Sequence, residues 1–303
     1  MVKKKKFKAF FVLQTNVCCK MRIPLVFLLL SKLLLGAASS PPPTDASCSS
    51  TSSDDTCSSF APSYSLTYFD GRGLAEVART LFYTTNTPFT DIRLSNAEFR
   101  ELKRKNVTDL SANLGRLPLL NHSGFVLGQS ASINRYLAHQ LSVFGSNPSE
   151  TALIDSIVEH ILDMKAAYKS LLSEYDTDSD TEFHKAVEEW HSTPPSPLLP
   201  KKKNRQLRWY LSFLEKIIPP TGYSVGTSPS LSDAYIFNLL FEFSPSVSYD
   251  TERGRMSAGH YFGNYQKTMN VLEGFPNVKK VCTTFRDGEG MKRYLDNRGE
   301  IDW

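Results

Sequence analysis

The most constraining feature of this chain is a change of pattern at Asn147-Pro148. Between Ser63 and that point, short apolar runs of strand length alternate with segments of helical period. Beyond it only the helical period remains. Tyr64 to Phe69 and Phe89 to Leu94 read as strands, and Leu119-Leu120 and Phe125 to Leu127 as a hairpin about Asn121-His122-Ser123-Gly124. Leu74 to Thr85 carries apolar residues at 74, 77, 78, 81 and 82, a short helix is expected over Asn96 to Lys105, and Gln129 to Leu141 is amphipathic. This βαβ, hairpin, helix order predicts a small α/β domain over 63–144. An all-helical domain over 145–303 follows, opening with a long helix from Thr151 to Glu174 whose Leu153, Ile154, Ile157, Val158, Ile161 and Leu162 face inward. Further helices are expected at 181–191, 204–218, 230–243, 276–285 and Met291 to Asp296, with Ser230 and Asp233 forming a reciprocal cap. Insertions near 190–203 and 244–263 are polar or Pro- and Lys-rich and read as surface loops.

The first 62 residues have a different character. Residues 1–40 place a basic cluster, Lys3 to Lys8, before an apolar run from Ile23 to Leu35 and the small residues Gly36 to Ser40. That order predicts a signal for the secretory pathway, with lumenal, plastid-type and secreted fates all open. An uncleaved signal anchor is the alternative, and the leader is the one route to a membrane. Met21 could equally start a compact signal peptide. Residues 41–62 are Ser- and Pro-rich and lack the apolar surface to offset ordering entropy, so a disordered linker is expected.

Charge and cysteine usage exclude other classes. Eight of the 35 Lys and Arg, but only three of the 31 Asp and Glu, lie in residues 1–62, leaving the remainder at −1. Such a body has no electrostatic footprint for nucleic acid. Only Cys282 of the five cysteines lies beyond residue 57, so no disulfide forms within the folded part, and Cys282 is expected as core. Gly128-Gln-Ser-Ala-Ser132 lacks the second glycine of a nucleophile elbow. Asp176-Thr-Asp-Ser-Asp180 lacks the glycine and terminal glutamate of a calcium loop, and the six histidines have no metal-ligand spacing, so no metal is expected. Asn106-Val-Thr108 and Asn121-His-Ser123 are glycosylation sequons, meaningful only in a secretory lumen.

Tyr64-Ser-Leu-Thr-Tyr-Phe-Asp-Gly-Arg-Gly-Leu-Ala-Glu76 with Arg79 resembles the opening of a sigma-like glutathione S-transferase, of the glutathione-dependent prostaglandin D synthase type. Gly115-Arg-Leu-Pro-Leu119, Gln129-Ser130 with Ile133, Arg135, Tyr136 and Leu137, Phe275-Pro-Asn-Val278, and Met291-Lys-Arg-Tyr-Leu-Asp296 resemble later signatures of the same family. The resemblance covers roughly residues 63–303. It implies a thioredoxin-like N-terminal domain followed by an all-helical C-terminal domain, and conjugation of glutathione to a small hydrophobic electrophile.

It also implies roles for single residues. Tyr68 matches the tyrosine that stabilises the thiolate, and Tyr64, four residues earlier, lies outside the matching frame. Pro118 takes a cis bond that presents Leu117 to the cysteinyl part of glutathione, while Gln129 and Ser130 receive the γ-glutamyl carboxylate. Phe99 and Lys103 stand at positions for the glycyl carboxylate. Asp163 matches a carboxylate offered across a homodimer interface to the γ-glutamyl ammonium. Two departures stand out: Leu74 replaces the family's usual arginine, and Phe99 replaces an indole donor. Glutathione is therefore the expected co-substrate. The alternatives are a non-catalytic glutathione- or ligand-binding protein on the same fold, or a glutathione-dependent isomerase.

Overall fold

A computed structural model describes residues 63–105, 108–176, 179–192, 205–242, 248–250, 255–257 and 260–298. All of them belong to one compact unit, Ser58–Trp303. The expected leader and linker at 1–62, the core of the 190–203 insertion and much of the 244–263 insertion lie outside the described residues.

The N-terminal part is a four-stranded sheet of order β2-β1-β3-β4, built from β1 (Tyr64–Phe69), β2 (Thr90–Leu94), β3 (Leu119–His122) and β4 (Phe125–Gly128). β1 pairs parallel with β2, which requires a crossover, and α1 (Glu76–Thr84) supplies it after a 3₁₀ turn at Gly73–Ala75. The β3–β4 hairpin adds antiparallel to β1, with Thr67 opposite Leu119 and Leu66 opposite Leu120. Helix α2 (Asn96–Arg104) is held at its start by a Ser95–Glu98 capping box. A 3₁₀ segment, Thr108–Asn113, then leads to β3, and α3 (Ser130–Gln140) closes the domain.

The helical part runs through α4 (Pro148–Leu172), α5 (Asp180–Ser192), α6 (Leu207–Ile217), α7 (Leu231–Leu240), α8 (Tyr265–Leu272), α9 (Pro276–Asp287) and α10 (Glu289–Asn297). Helix α7 is its hub, since all ten of its residues are buried. Its N-terminus is capped as the sequence predicts: Ser230 accepts from Asp233 N–H, and Asp233 accepts from Ser230 N–H at 2.8 Å. One hydrophobic cluster joins the two parts, drawing Leu66, Phe82 and Ile133 from the sheet side and Ile154, Val158 and Ile236 from the helices.

Some expectations are corrected. Leu153 does not face inward on α4; it is 57% exposed, because the buried stripe follows 154, 157, 158, 161 and 164. The 244–263 segment is not surface loop throughout. β5 (Ser248–Asp250) pairs antiparallel with β6 (Arg255–Ser257), and His260 and Phe262 are buried. Trp190, placed at the edge of an insertion by composition, is a buried residue of α5. Among the described residues no helix is long and apolar enough to cross a membrane, and no cluster of His, Cys, Asp or Glu could hold a metal ion.

Candidate active site

The site forms at the C-terminal edge of β1. Tyr68 is half-buried there, and its hydroxyl accepts a hydrogen bond from the Leu74 N–H at 3.2 Å. The chain can pass so close only because residue 73 is glycine: its φ is +41°, and a Cβ built on it would lie 2.7 Å from the Tyr68 hydroxyl oxygen. With one lone pair engaged by a backbone donor, the hydroxyl proton of Tyr68 is free to point toward a ligand. Tyr64 has a different setting. It is buried and stacked on His122, with ring centroids 4.0 Å apart, as part of the core.

A second, small apolar cluster surrounds Tyr68. Leu110, Leu117 and Leu119 are buried in it, with Phe69, Phe99 and Leu102 packed around them. The Phe99 ring meets Phe69 edge-on at 5.0 Å, and the Lys103 ammonium lies 4.9 Å above the Phe99 ring. Lys103 also reaches the turn at Gly115, where a Cβ would approach its Cε to 3.9 Å. The Leu117–Pro118 bond is cis. Leu117 lies just outside the β1–β3 ladder, whose pairing ends at Thr67 and Leu119.

Asn113 ties these pieces together, and its role was not legible beforehand. It is buried, donates to the Pro118 carbonyl at 3.0 Å and accepts from the Gln129 N–H at 3.2 Å. Its Cβ leaves no room for a side chain at Gly128. One side chain thus fixes both the Pro118 turn and the start of α3. Gln129 takes φ +67°, and no side chain caps the first turn of α3 among the described residues. The Ser130 end of that helix can therefore accept an anion. In a stretch reading Asp-Leu-Ser-Ala-Asn113, nothing distinguishes this asparagine from an ordinary turn residue.

Tyr68, Phe99, Lys103, Leu117, Pro118, Gln129 and Ser130 thus lie on connected elements of the N-terminal part. Asp163 lies elsewhere, on α4, lining a cavity of about 350 Å³ with Ala167, Trp190, Arg205 and Tyr210. On the same helix Lys165 lies 4.8 Å from the Tyr261 ring, and burial, with the nearby Lys169, pushes its amine down to about 8. Burial also pushes the Tyr168 and Tyr261 hydroxyls up.

Comparison with known proteins decides the family. The family description "Glutathione S-transferase, N-terminal domain" matches residues 64–139. Glutathione S-transferase 4 of Caenorhabditis elegans is 38% identical over 226 residues, spanning 75% of this chain and 98% of the relative. Glutathione S-transferase 1 of Ascaris suum is 31% identical over 221 residues, covering 72% and 95%. The chain belongs to the glutathione S-transferase family. The crystal structure of the glutathione S-transferase from Ascaris lumbricoides agrees in fold, with a TM-score of 0.55 at 28% identity over 78% of this chain and 98% of that one. The transferase fold, a thioredoxin-like sheet domain followed by a many-helix domain, is the architecture described above. Residues 1–63 precede the matched domain.

Proposed function

We propose that Tyr68 activates glutathione for attack on a small hydrophobic electrophile. As a family member the chain is a transferase that uses glutathione. The observation that carries it is the Tyr68 hydroxyl, held from behind by the Leu74 N–H. A free thiol with a pKa near ~8.5 is only a few per cent ionised at pH 7. Lowering it by about two units takes ~2.7 kcal/mol. A hydrogen bond to a charged group contributes ~1.5–3 kcal/mol, so one hydroxyl beside the sulfur supplies most of that. The thiol proton leaves to solvent, and the thiolate attacks the electrophilic carbon. A C–S bond forms as the leaving group departs with its electron pair, or as the pair moves into the acceptor's π system.

Glutathione would be positioned by the same frame. Leu117, beyond the last ladder pair, offers its main chain to the cysteinyl unit, with Pro118 setting the turn. Gln129 and Ser130 receive the γ-glutamyl carboxylate at the α3 N-terminus. Lys103, seated over Phe99, faces the glycyl carboxylate. Asp163 would serve the glutathione of a second copy, which makes a homodimer the expected assembly; sedimentation of the purified chain tests it. The leader composition supports entry to the secretory pathway, and the N-terminal residue of the mature protein reports whether it is cleaved.

Leu74 favours a second reading. Its side chain is 50% exposed and apolar where relatives of the sigma-like type place a guanidinium, so a binding protein without turnover would have this surface. One experiment separates the two: the pH titration of glutathione thiolate absorbance on the protein and on Tyr68→Phe. A bound thiol titrating one to two units below free glutathione, and returning toward it in Tyr68→Phe, supports catalysis. Glutathione that binds with an unshifted thiol supports the second reading.

A further inference from the structure

The turn that holds the Tyr68 hydroxyl is itself held by a buried ionic network, and that network ends on the C-terminal helix. Arg79, fully buried, donates to the Gly71 carbonyl at 2.8 Å and to the Arg72 carbonyl at 3.4 Å. These are the two residues before Gly73 and Leu74. Arg79 also meets the Glu76 carboxylate at 3.1 Å and Asp91 at 3.0 Å. Glu76 is 1% exposed, and its other oxygen accepts from the Tyr294 hydroxyl at 2.6 Å and from Arg298 at 3.3 Å. Arg298 in turn pairs with Glu242 at the end of α7, which also meets Arg72 at 3.2 Å. Helix α10 is seated directly on α1. The Tyr294 ring stacks on Tyr83 with centroids 4.3 Å apart, and the backbone of Gly290 leaves no room for a Cβ against the Tyr83 carbonyl.

Two buried carboxylates, Glu76 and Glu242, thus share three guanidiniums, and two of the donors to Glu76 come from α10 and its C-cap. Charge alone does not require them: Arg79 and Arg93 already balance Glu76 and Asp91, and Arg72 balances Glu242. What Tyr294 and Arg298 add is direction. With Oε1 of Glu76 committed to α10, Oε2 stays on Arg79, and Arg79 keeps both turn carbonyls. The backbone N–H of Leu74 is delivered to Tyr68 as a result.

We propose that Tyr294 of α10 and Arg298 at its C-cap are positioning residues for Tyr68, acting through Glu76 and Arg79 on the Gly71–Leu74 turn. The inference rests on the reading of Tyr68 above and extends it, because it makes thiolate activation depend on a helix 220 residues away along the chain (roughly, by numbering). Tyr294 suits the role: burial and the Glu76 carboxylate both push its hydroxyl pKa up, so it remains a donor throughout the working pH range.

The test uses Tyr294→Phe, which keeps the ring stack on Tyr83, and Arg298→Met, which keeps the length of the stem. Hydrogen exchange of the peptide spanning Gly71–Leu74 is measured on the full chain, beside the pH profile of kcat/KM and the titration of bound glutathione. Both variants are expected to exchange about tenfold faster at the turn. They should lose about three- to tenfold in kcat/KM at pH 6.5, with the loss shrinking toward pH 8.5 as free thiolate becomes available. Wild-type exchange at the turn, or a rate loss equal at all pH values, overturns the proposal. Should Tyr294→Phe fail to fold, Arg298→Met carries the same measurement. An unshifted thiol in the wild-type protein would instead sink the reading of Tyr68, while the exchange data would still report on the network.

Discussion

At the scale of single residues, burial separates groups the chain uses from groups it tolerates. Lys165 is set into α4 beneath Tyr261, and burial lowers its amine to about 8 from an ordinary value near 10.5. A lysine whose folded pKa is depressed destabilises the fold at neutral pH. The penalty is absent above the unfolded pKa, grows as pH falls from 10.5 toward 8, and is complete below. Lys165→Met is therefore expected to stabilise the protein at pH 7 by about 1–2 kcal/mol, after allowance for the lost contact with Tyr261. The gain should fade toward pH 10, and denaturant midpoints at pH 7, 8.5 and 10 check both the size and the trend. A destabilised variant would mean that the ring contact outweighs the desolvation. Such a residue is invisible in sequence, where Lys165 reads as one more polar position on a long helix. The cis bond at Pro118 was legible because that residue belongs to a motif with fixed spacing. Tyr294 stood inside a recognisable motif as well, yet its partner Glu76 lies on another helix, and only the fold brings the two hydroxyl and carboxylate oxygens within 2.6 Å.

At the scale of elements, periodicity foretold most helices and capping foretold one boundary. Ser230 and Asp233 start α7 as read from four residues. Helix α8 was missed because Tyr265 to Leu272 follows a polar, turn-rich stretch and, at 8 residues, is too short to establish a helical period. The burial of His260 was hidden for the same reason. Its Nε2 lies 3.2 Å from the Leu240 carbonyl and its Nδ1 accepts from Phe262 N–H, a local network that composition does not announce. The joint between the 3₁₀ segment, the Pro118 turn and α3 is likewise tertiary. Asn113→Ala removes the shared side chain and leaves the Pro118 carbonyl and the Gln129 N–H without it. The expected cost is about 2–3 kcal/mol of stability and roughly a tenfold weaker glutathione affinity. Calorimetry for binding and denaturation for stability separate the two effects. A loss of stability with unchanged affinity would show that the α3 N-terminus does not contribute to the ligand.

At the scale of the whole molecule, the two parts share more than a covalent connection. The main hydrophobic cluster takes residues from both, and buried polar contacts cross the seam: Asn238 donates to Thr80 at 3.0 Å, and Asn134 to the Tyr235 hydroxyl at 2.9 Å. Opening the seam would expose apolar surface and strand those groups together, so neither part can unfold cheaply alone. The tryptophans allow a direct check, since Trp190 and Trp209 lie on α5 and α6 and, in a Trp303→Phe background, report only on the helical side. Leu66→Ala, a fully buried site on β1, should cost about 2–5 kcal/mol. If the seam couples the parts, this sheet-side change lowers the tryptophan-fluorescence midpoint by the same amount as the far-ultraviolet midpoint. A fluorescence midpoint that stays in place while the far-ultraviolet signal shifts would show two independent folding units. Cooperative unfolding is also what a long-range control of Tyr68 from α10 requires: a helix can hold a turn in the other domain only while the seam between them stays closed.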